Sequence, residues 1–305
     1  MNLMTVLLNT LAATPILATP LLLAAMGGLI NRQGGIVNIG LEAKMLAGAF
    51  VAVVVSWQTG NVWLALLAAT VAGALVALPF SLVITRLGAN EIIVGLGLNV
   101  LMIGLLGYIL PVVFNVFGTF RPPGLVRLPR IDIPIVEDLP VLGPILSGKD
   151  PVTYLSWLAV PLVAWFLYRT VAGLRLRAAG ADLEAARAAG IPALRWRDTS
   201  TMIAGAFAGL AGAQLALASV ALFAVGMTAG RGFIALAAFY FGAARPWPTA
   251  AAAILFGIFD AAQARMQGLG VPVQLVQMLP YLAVVIALTF VAIRRQRREP
   301  GTVMA

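Results

Sequence analysis

Residues 34–45, Gly34-Gly35-Ile36-Val37-Asn38-Ile39-Gly40-Leu41-Glu42-Ala43-Lys44-Met45, put glycines, an amide, a carboxylate and one of the chain's two lysines at the head of a long apolar run. In hydrocarbon such groups are costly and face a cavity or a partner, so Asn38 and Glu42 are candidates to line a solute path. An amide both donates and accepts, which suits sugar hydroxyls or nucleobase edges. Further polar groups in apolar runs are Asn99, Gln214, Asp260 and Gln263, and Phe239 and Tyr240 offer rings for stacking. Each polar side chain has a structural alternative, bonding between helices, because either role meets the same desolvation rule. Glu42 and Lys44 are two residues apart and cannot share a helix face, so each pairs elsewhere or faces the cavity. Asp260 has Gln263 one turn away as a hydrogen-bond partner, and Arg231 is placed to touch an outer lid or a partner.

Catalysis fits poorly. The chain has no Cys and no His, which removes thiols, imidazole bases and the commonest zinc ligands. No metal site is expected. An intramembrane enzyme acting on lipid would have only Glu42 and Asp260 as deep carboxylates, with no evident base–nucleophile arrangement.

The elements that position these residues read as membrane spans. The 305 residues are 61% apolar and 10% charged, against roughly a quarter charged in soluble domains. Apolar runs of bilayer length fall at 11–30, 34–57, 62–84, 92–113, 154–168, 202–223, 249–264 and 275–293, with a short one at 233–242. The expectation is an all-α polytopic membrane protein with about nine transmembrane segments, some broken or short, forming one permease-like domain over 1–305. Pro15 and Pro20 should bend the first span, which lacks a basic region before it and is expected to be retained. The net charge of +9 comes from arginines clustered in short loops, a topology signal rather than a nucleic-acid surface. Placing the 169–198 loop and the Arg294–Arg298 tail inside puts the N-terminus and the charge-balanced 115–151 loop outside. The glycines Gly205, Gly209 and Gly212 read as a close-approach helix face.

Gly143-Pro144-Ile145-Leu146-Ser147-Gly148-Lys149-Asp150 approximates a phosphate-binding loop, but Asp150 replaces the hydroxyl residue and no strand precedes it, so we reject it. Within the basic inside loop, Glu184-Ala185-Ala186-Arg187-Ala188-Ala189-Gly190 reads as a short helix begun by Asp182 and ended by Gly190. It suits docking on another protein, or is a solvated helix held by an i,i+3 ion pair.

That E-A-A-x-x-x-G pattern resembles the coupling helix of ABC importer permeases. The resemblance extends to Gly34–Glu42, to Ile93–Asn99, to Gly230-Arg231-Gly232-Phe233-Ile234-Ala235-Leu236-Ala237-Ala238 and to Phe256–Gln263, which together are similar to the simple-sugar and nucleoside branch of those permeases, within the branched-chain amino acid/ribose-type superfamily. It implies a multi-pass subunit of the bacterial plasma membrane that imports a nucleoside or simple sugar, delivered by an extracytoplasmic binding protein. ATP and Mg would be bound by separate ATPase subunits, this chain carrying no cofactor. It implies ATPase docking through Asp182, Glu184, Ala185, Ala186, Arg187 and Gly190. The chain resembles the shorter of two permeases found together, so a heterodimer is expected; longer sugar-importing relatives have a further N-terminal span. Ala43-Lys44 departs from the family's usual Gly then Met or Gln, and Trp247 and Pro248 stand where smaller residues are common. The competing reading is an ion-coupled secondary carrier using Glu42, although no strong inverted repeat favours it.

Overall fold

The computed structural model describes residues 3–134 and 143–266, together with positions 278, 282 and 289. The first helix, α1, runs Leu3–Gln33 and contains both Pro15 and Pro20. After a non-helical stretch at 34–40 come α2 (Leu41–Thr59), α3 (Val62–Leu87) and α4 (Glu91–Phe114). A two-residue strand β1 (Thr119–Phe120) and a single turn α5 (Gly143–Leu146) lead to α6 (Pro151–Arg169). Two short helices follow, α7 (Val171–Ala181) and α8 (Leu183–Ala188). Then α9 (Ala193–Gln214) continues as a π-helix over Leu215–Val220, β2 (Phe223–Ala224) pairs antiparallel with β1, and α10 (Arg231–Phe241) and α11 (Pro246–Met266) close the described chain.

The helix boundaries follow local chemistry. Asn61 caps α3 and Asn90 caps α4, each accepting two amide bonds with its side chain, and left-handed Gly60 and Gly88 end α2 and α3. Asp150 caps α6 with Pro151 at the first helical position, where the missing amide costs nothing.

Among the described residues six helices are long and apolar enough to cross a membrane: Leu8–Gln33, Leu41–Thr59, Val62–Leu87, Glu91–Phe114, Pro151–Arg169 and Ala193–Val220. The expected count of nine is thus not reached, and the last expected span, 275–293, lies outside the described residues. With 11 residues, α10 spans about 16 Å, half of a bilayer's hydrocarbon. The reading of 233–242 as too short to cross fits this length. The 154–168 span, expected to be short, is a full-length helix of 19 residues because its cap lies further back at Asp150.

Helix α9 packs most extensively, against α3, α2 and α1. Its glycines make this possible. A Cβ on Gly205 would strike the Gly73 carbonyl, one on Gly209 the Ala69 carbonyl, and one on Gly212 the Met45 carbonyl. The α2 and α3 glycines answer them, since Gly48 and Gly73 lie against the backbone of Gly209 and Gly205. Lipid tails are as apolar as leucine, so dense backbone-to-backbone contact rather than hydrophobic burial draws these helices together. By contrast α3 and α4 expose most of their length, with Leu67, Val71, Leu75, Val100, Leu101 and Val113 facing outward.

The two ends of the bundle differ. At one end Arg86 pairs with Asp198 at 2.7 Å, Gln33 donates to the Ala244 carbonyl, and Gly35 lies against Gly180. At the other, the β1–β2 pair, Ser56 bonded to Val126 and Asp150 bonded to Gln214 gather the remaining loops, over a cluster of Phe50, Trp57, Phe114, Phe120 and Phe223. The rejected phosphate-loop residues serve this end. Lys149 donates to the carbonyls of Ala12 and Pro144, and burial together with nearby Arg130 holds its ammonium below the usual lysine range, with Asp150 opposing.

Replacing Gly209 with Leu should lower the melting temperature of the purified protein, the overpacking costing about 1–3 kcal/mol or more. Gly104→Ala on α4, where a Cβ meets open space, should be neutral or raise stability by up to about 1 kcal/mol.

Candidate functional site

The break at 34–40 is held by side chains. Gly34 and Ile36 amides close back onto the end of α1, and the Val37 amide donates to Glu91 at 2.9 Å. Asn99, from α4, accepts from the Ala43 amide at 3.0 Å and donates to the Ile39 carbonyl at 3.1 Å. One side chain thus satisfies a free donor and a free acceptor on either side of the helix start, the groups that a helix terminus leaves open. Asn38 lies inside the break, fully buried, and accepts from the Lys44 ammonium. That ammonium also sits 3.9 Å over the Phe80 ring of α3, a cation–π contact in place of a carboxylate partner.

Glu42 points the other way. Its two carboxylate oxygens accept from the amides of Gly230, at 2.8 Å, and Gly232, at 2.6 Å. An acid at a helix N-terminus meets unpaired amides and the positive end of the helix dipole, so Glu42 caps α10 from another helix. Gly232 is required there because a Cβ would lie 2.5 Å from the Glu42 amide nitrogen. The first residue of α10, Arg231, pairs with Asp260 of α11 at 2.9 Å, and both are largely buried. The partner of Asp260 is therefore Arg231 rather than Gln263, a long side chain from the neighbouring helix reaching it in place of the one a turn away. For the same reason Arg231 is turned inward, not displayed for an outer contact.

Asn38, Glu42 and Asn99 are thus brought together around the start of α2, with Asp260 joined through Arg231 and α10. Gln214 stands apart, at the end of α9, where it donates to Asp150 at 3.2 Å and to the Ile16 carbonyl at 3.3 Å. Phe239 is fully buried and stacks on half-exposed Tyr240 with centroids 5.1 Å apart. Gln263 is half-buried on α11. Sequence reasoning did not single out Asp150, although an Asp directly before a Pro is a readable helix-start signal. It also missed Asn31, which donates from α1 to Ser200 and Thr201 on α9.

The inside-loop helix α8 forms as its residues dictate. Asp182 accepts from the Glu184 and Ala185 amides, and Arg187 pairs with Glu184 at 2.8 Å. Gly190 follows with φ 74°, a left-handed stop that suits glycine. Ala186 turns inward onto Ala179 and Ala193, leaving Glu184, Ala185 and Arg187 exposed.

A bundle of apolar helices with two interruptions closed by buried polar side chains defines a polytopic helical membrane transport protein. Residues 10–288 match the model of the branched-chain amino acid transport system permease component family, and the chain belongs to it. TsgC13 of Haloferax volcanii, provisionally named a glucose ABC transporter permease, is 35% identical, over 94% of this chain and 92% of its own. The guanosine ABC transporter permease protein NupQ of Bacillus subtilis is 33% identical, over 95% and 93%. The nucleoside ABC transporter permease protein NupC of Lactococcus lactis is 32% identical, over 94% and 93%. No solved structure matches the chain. The protein is accordingly a permease subunit of an ABC importer, and ATP hydrolysis belongs to separate subunits.

Arg231→Ala should destabilise the protein by about 3–5 kcal/mol, because it leaves Asp260 as an uncompensated buried charge. The double replacement Arg231→Leu, Asp260→Leu should recover much of that loss in a thermal-unfolding assay.

Proposed function

We propose that the chain is one domain, 1–305, of a bacterial plasma-membrane importer that translocates a nucleoside or simple sugar delivered by an extracytoplasmic binding protein. The names of three relatives aligned over nearly the whole chain support that solute class. Asn38, Glu42, Asn99, Gln214, Phe239, Asp260 and Gln263 frame the path by holding its interrupted helices in place. Their polar groups are largely taken up within the chain, so the passage itself is completed by a second permease, in our reading a different but related chain.

The observation that carries the coupling assignment is α8. It is a capped, solvent-exposed helix set between loops at the end that also gathers Arg32, Arg86 and Arg245. Taking that end as cytoplasmic obeys the positive-inside bias and places the N-terminus and the 115–151 loop outside. Asp182, Glu184, Ala185, Ala186, Arg187 and Gly190 then meet the ATPase, and its closure rocks the spans.

Replacing Glu184 or Gly190 with Trp should lower ATP-driven uptake at least tenfold while the protein still inserts and the assembled ATPase still turns over. Unchanged uptake would sink the coupling assignment. Uptake by this chain alone, without ATPase subunits, would instead favour an ion-coupled carrier. Identifying the small molecule bound to the purified cognate binding protein fixes the solute.

A further inference from the structure

The short helix α10 is built differently from the spans around it. Full-length helices α2, α3 and α9 are locked by glycine seams that admit no sliding, whereas α10 lies outside that seam. Left-handed residues flank it on both sides: Ala229 (φ 47°) and Gly230 (φ 77°) before it, Ala243 (φ 48°) and Ala244 (φ 51°) after it. Three of these four are alanines, for which the left-handed region is disfavoured and persists only where surrounding contacts enforce it. The contacts that enforce it are few and directional. Glu42 grips the Gly230 and Gly232 amides, Asp260 grips Arg231, and Gln33 donates to the Ala244 carbonyl at 2.7 Å.

Two buried groups at the same end have no hydrogen-bond partner among the described residues, the Thr228 hydroxyl and the Arg231 Nε. Buried polar groups are seldom left unpaired, so these mark an arrangement that is not the only one the segment is built for. Along its length α10 buries Ile234 and Phe239 but exposes Phe233 and Tyr240, a one-sided attachment.

We propose that α10 is a gate, latched by the Glu42 carboxylate at its N-terminus and hinged at Ala229–Gly230 and Ala243–Ala244. This rests on the importer reading. Both Glu42 bonds point to the first turn of one helix, so a small rotation of α10 releases them together. The latch is thus a two-position switch. The carboxylate acts as a positioning group, and Asp260 is its second clasp through Arg231.

The chain has no cysteine, so paired labels can be placed on it alone. Spin labels at Tyr240→Cys on α10 and Leu82→Cys on α3 report the gate, and Leu82→Cys with Leu162→Cys on α6 reports the scaffold; all three positions are exposed. Distances are measured in the full complex in liposomes, nucleotide-free and with ATP trapped by vanadate. The scaffold pair should keep one distance, while the gate pair shifts by about 5 Å, the rise of one helical turn. In Glu42→Gln the gate pair should already populate the shifted distance without nucleotide. If that variant does not fold, Ala243→Gly and Ala244→Gly, which remove no side-chain contact of the latch, should broaden the gate distribution without moving the scaffold pair. A gate distance that is the same in both nucleotide states overturns the proposal, as does a Glu42→Gln complex with the wild-type distribution. A complex that hydrolyses no ATP would instead fail the importer reading, independently of the label distances.

Discussion

A helix that stops inside hydrocarbon exposes amides and carbonyls that no water can satisfy, and everything near residues 34–45 answers that demand. Asn99 bridges the start of α2 by serving one amide and one carbonyl, and Glu42 serves two amides of α10. An unmet buried amide costs about 1–3 kcal/mol, so two interruptions left open would consume much of a protein's net stability. The polar residues of these spans therefore have a structural duty before any contact with solute, and the two roles coexist in one set of side chains.

Such bonding requires the helices to be close, and the glycine seam supplies that. With Gly205, Gly209 and Gly212 set against Gly73, Ala69 and Met45, the backbones of α9, α3 and α2 approach as larger residues would forbid. The seam is rigid because it is made of main chain. Mobility is then left to segments outside it, and α10 is one of these.

Much of this was legible before any coordinates. Apolar run length located the helices, and the Gly205–Gly212 spacing pointed to close approach. The cap of α8 followed from Asp182 preceding an alanine-rich turn. What local pattern could not supply was partner choice across the bundle. Nothing near Glu42 in sequence announces that its carboxylate reaches residues 230 and 232, and Asp260 has a plausible neighbour in Gln263 that the fold passes over for Arg231. Long-range pairings depend on which helices are adjacent, which periodicity does not encode. Lys44 shows the same limit: its buried position is met by a ring face on α3, a pairing with no sequence signature.

The clasp of Glu42 on α10 also bears on how the chain is made. The Gly230 amide lies 188 residues downstream, and at about 5–20 residues per second the ribosome delivers it roughly ten to forty seconds after Glu42. Through that interval α2 carries Glu42 without its final partner. A charged side chain near the middle of a span carries an insertion penalty of about 2.5–3.5 kcal/mol, so α2 is poorly suited to leaving the translocon alone. Its assembly is tied instead to late synthesis of the second interruption, which makes premature termination before residue 230 a source of half-inserted chains rather than of smaller stable ones.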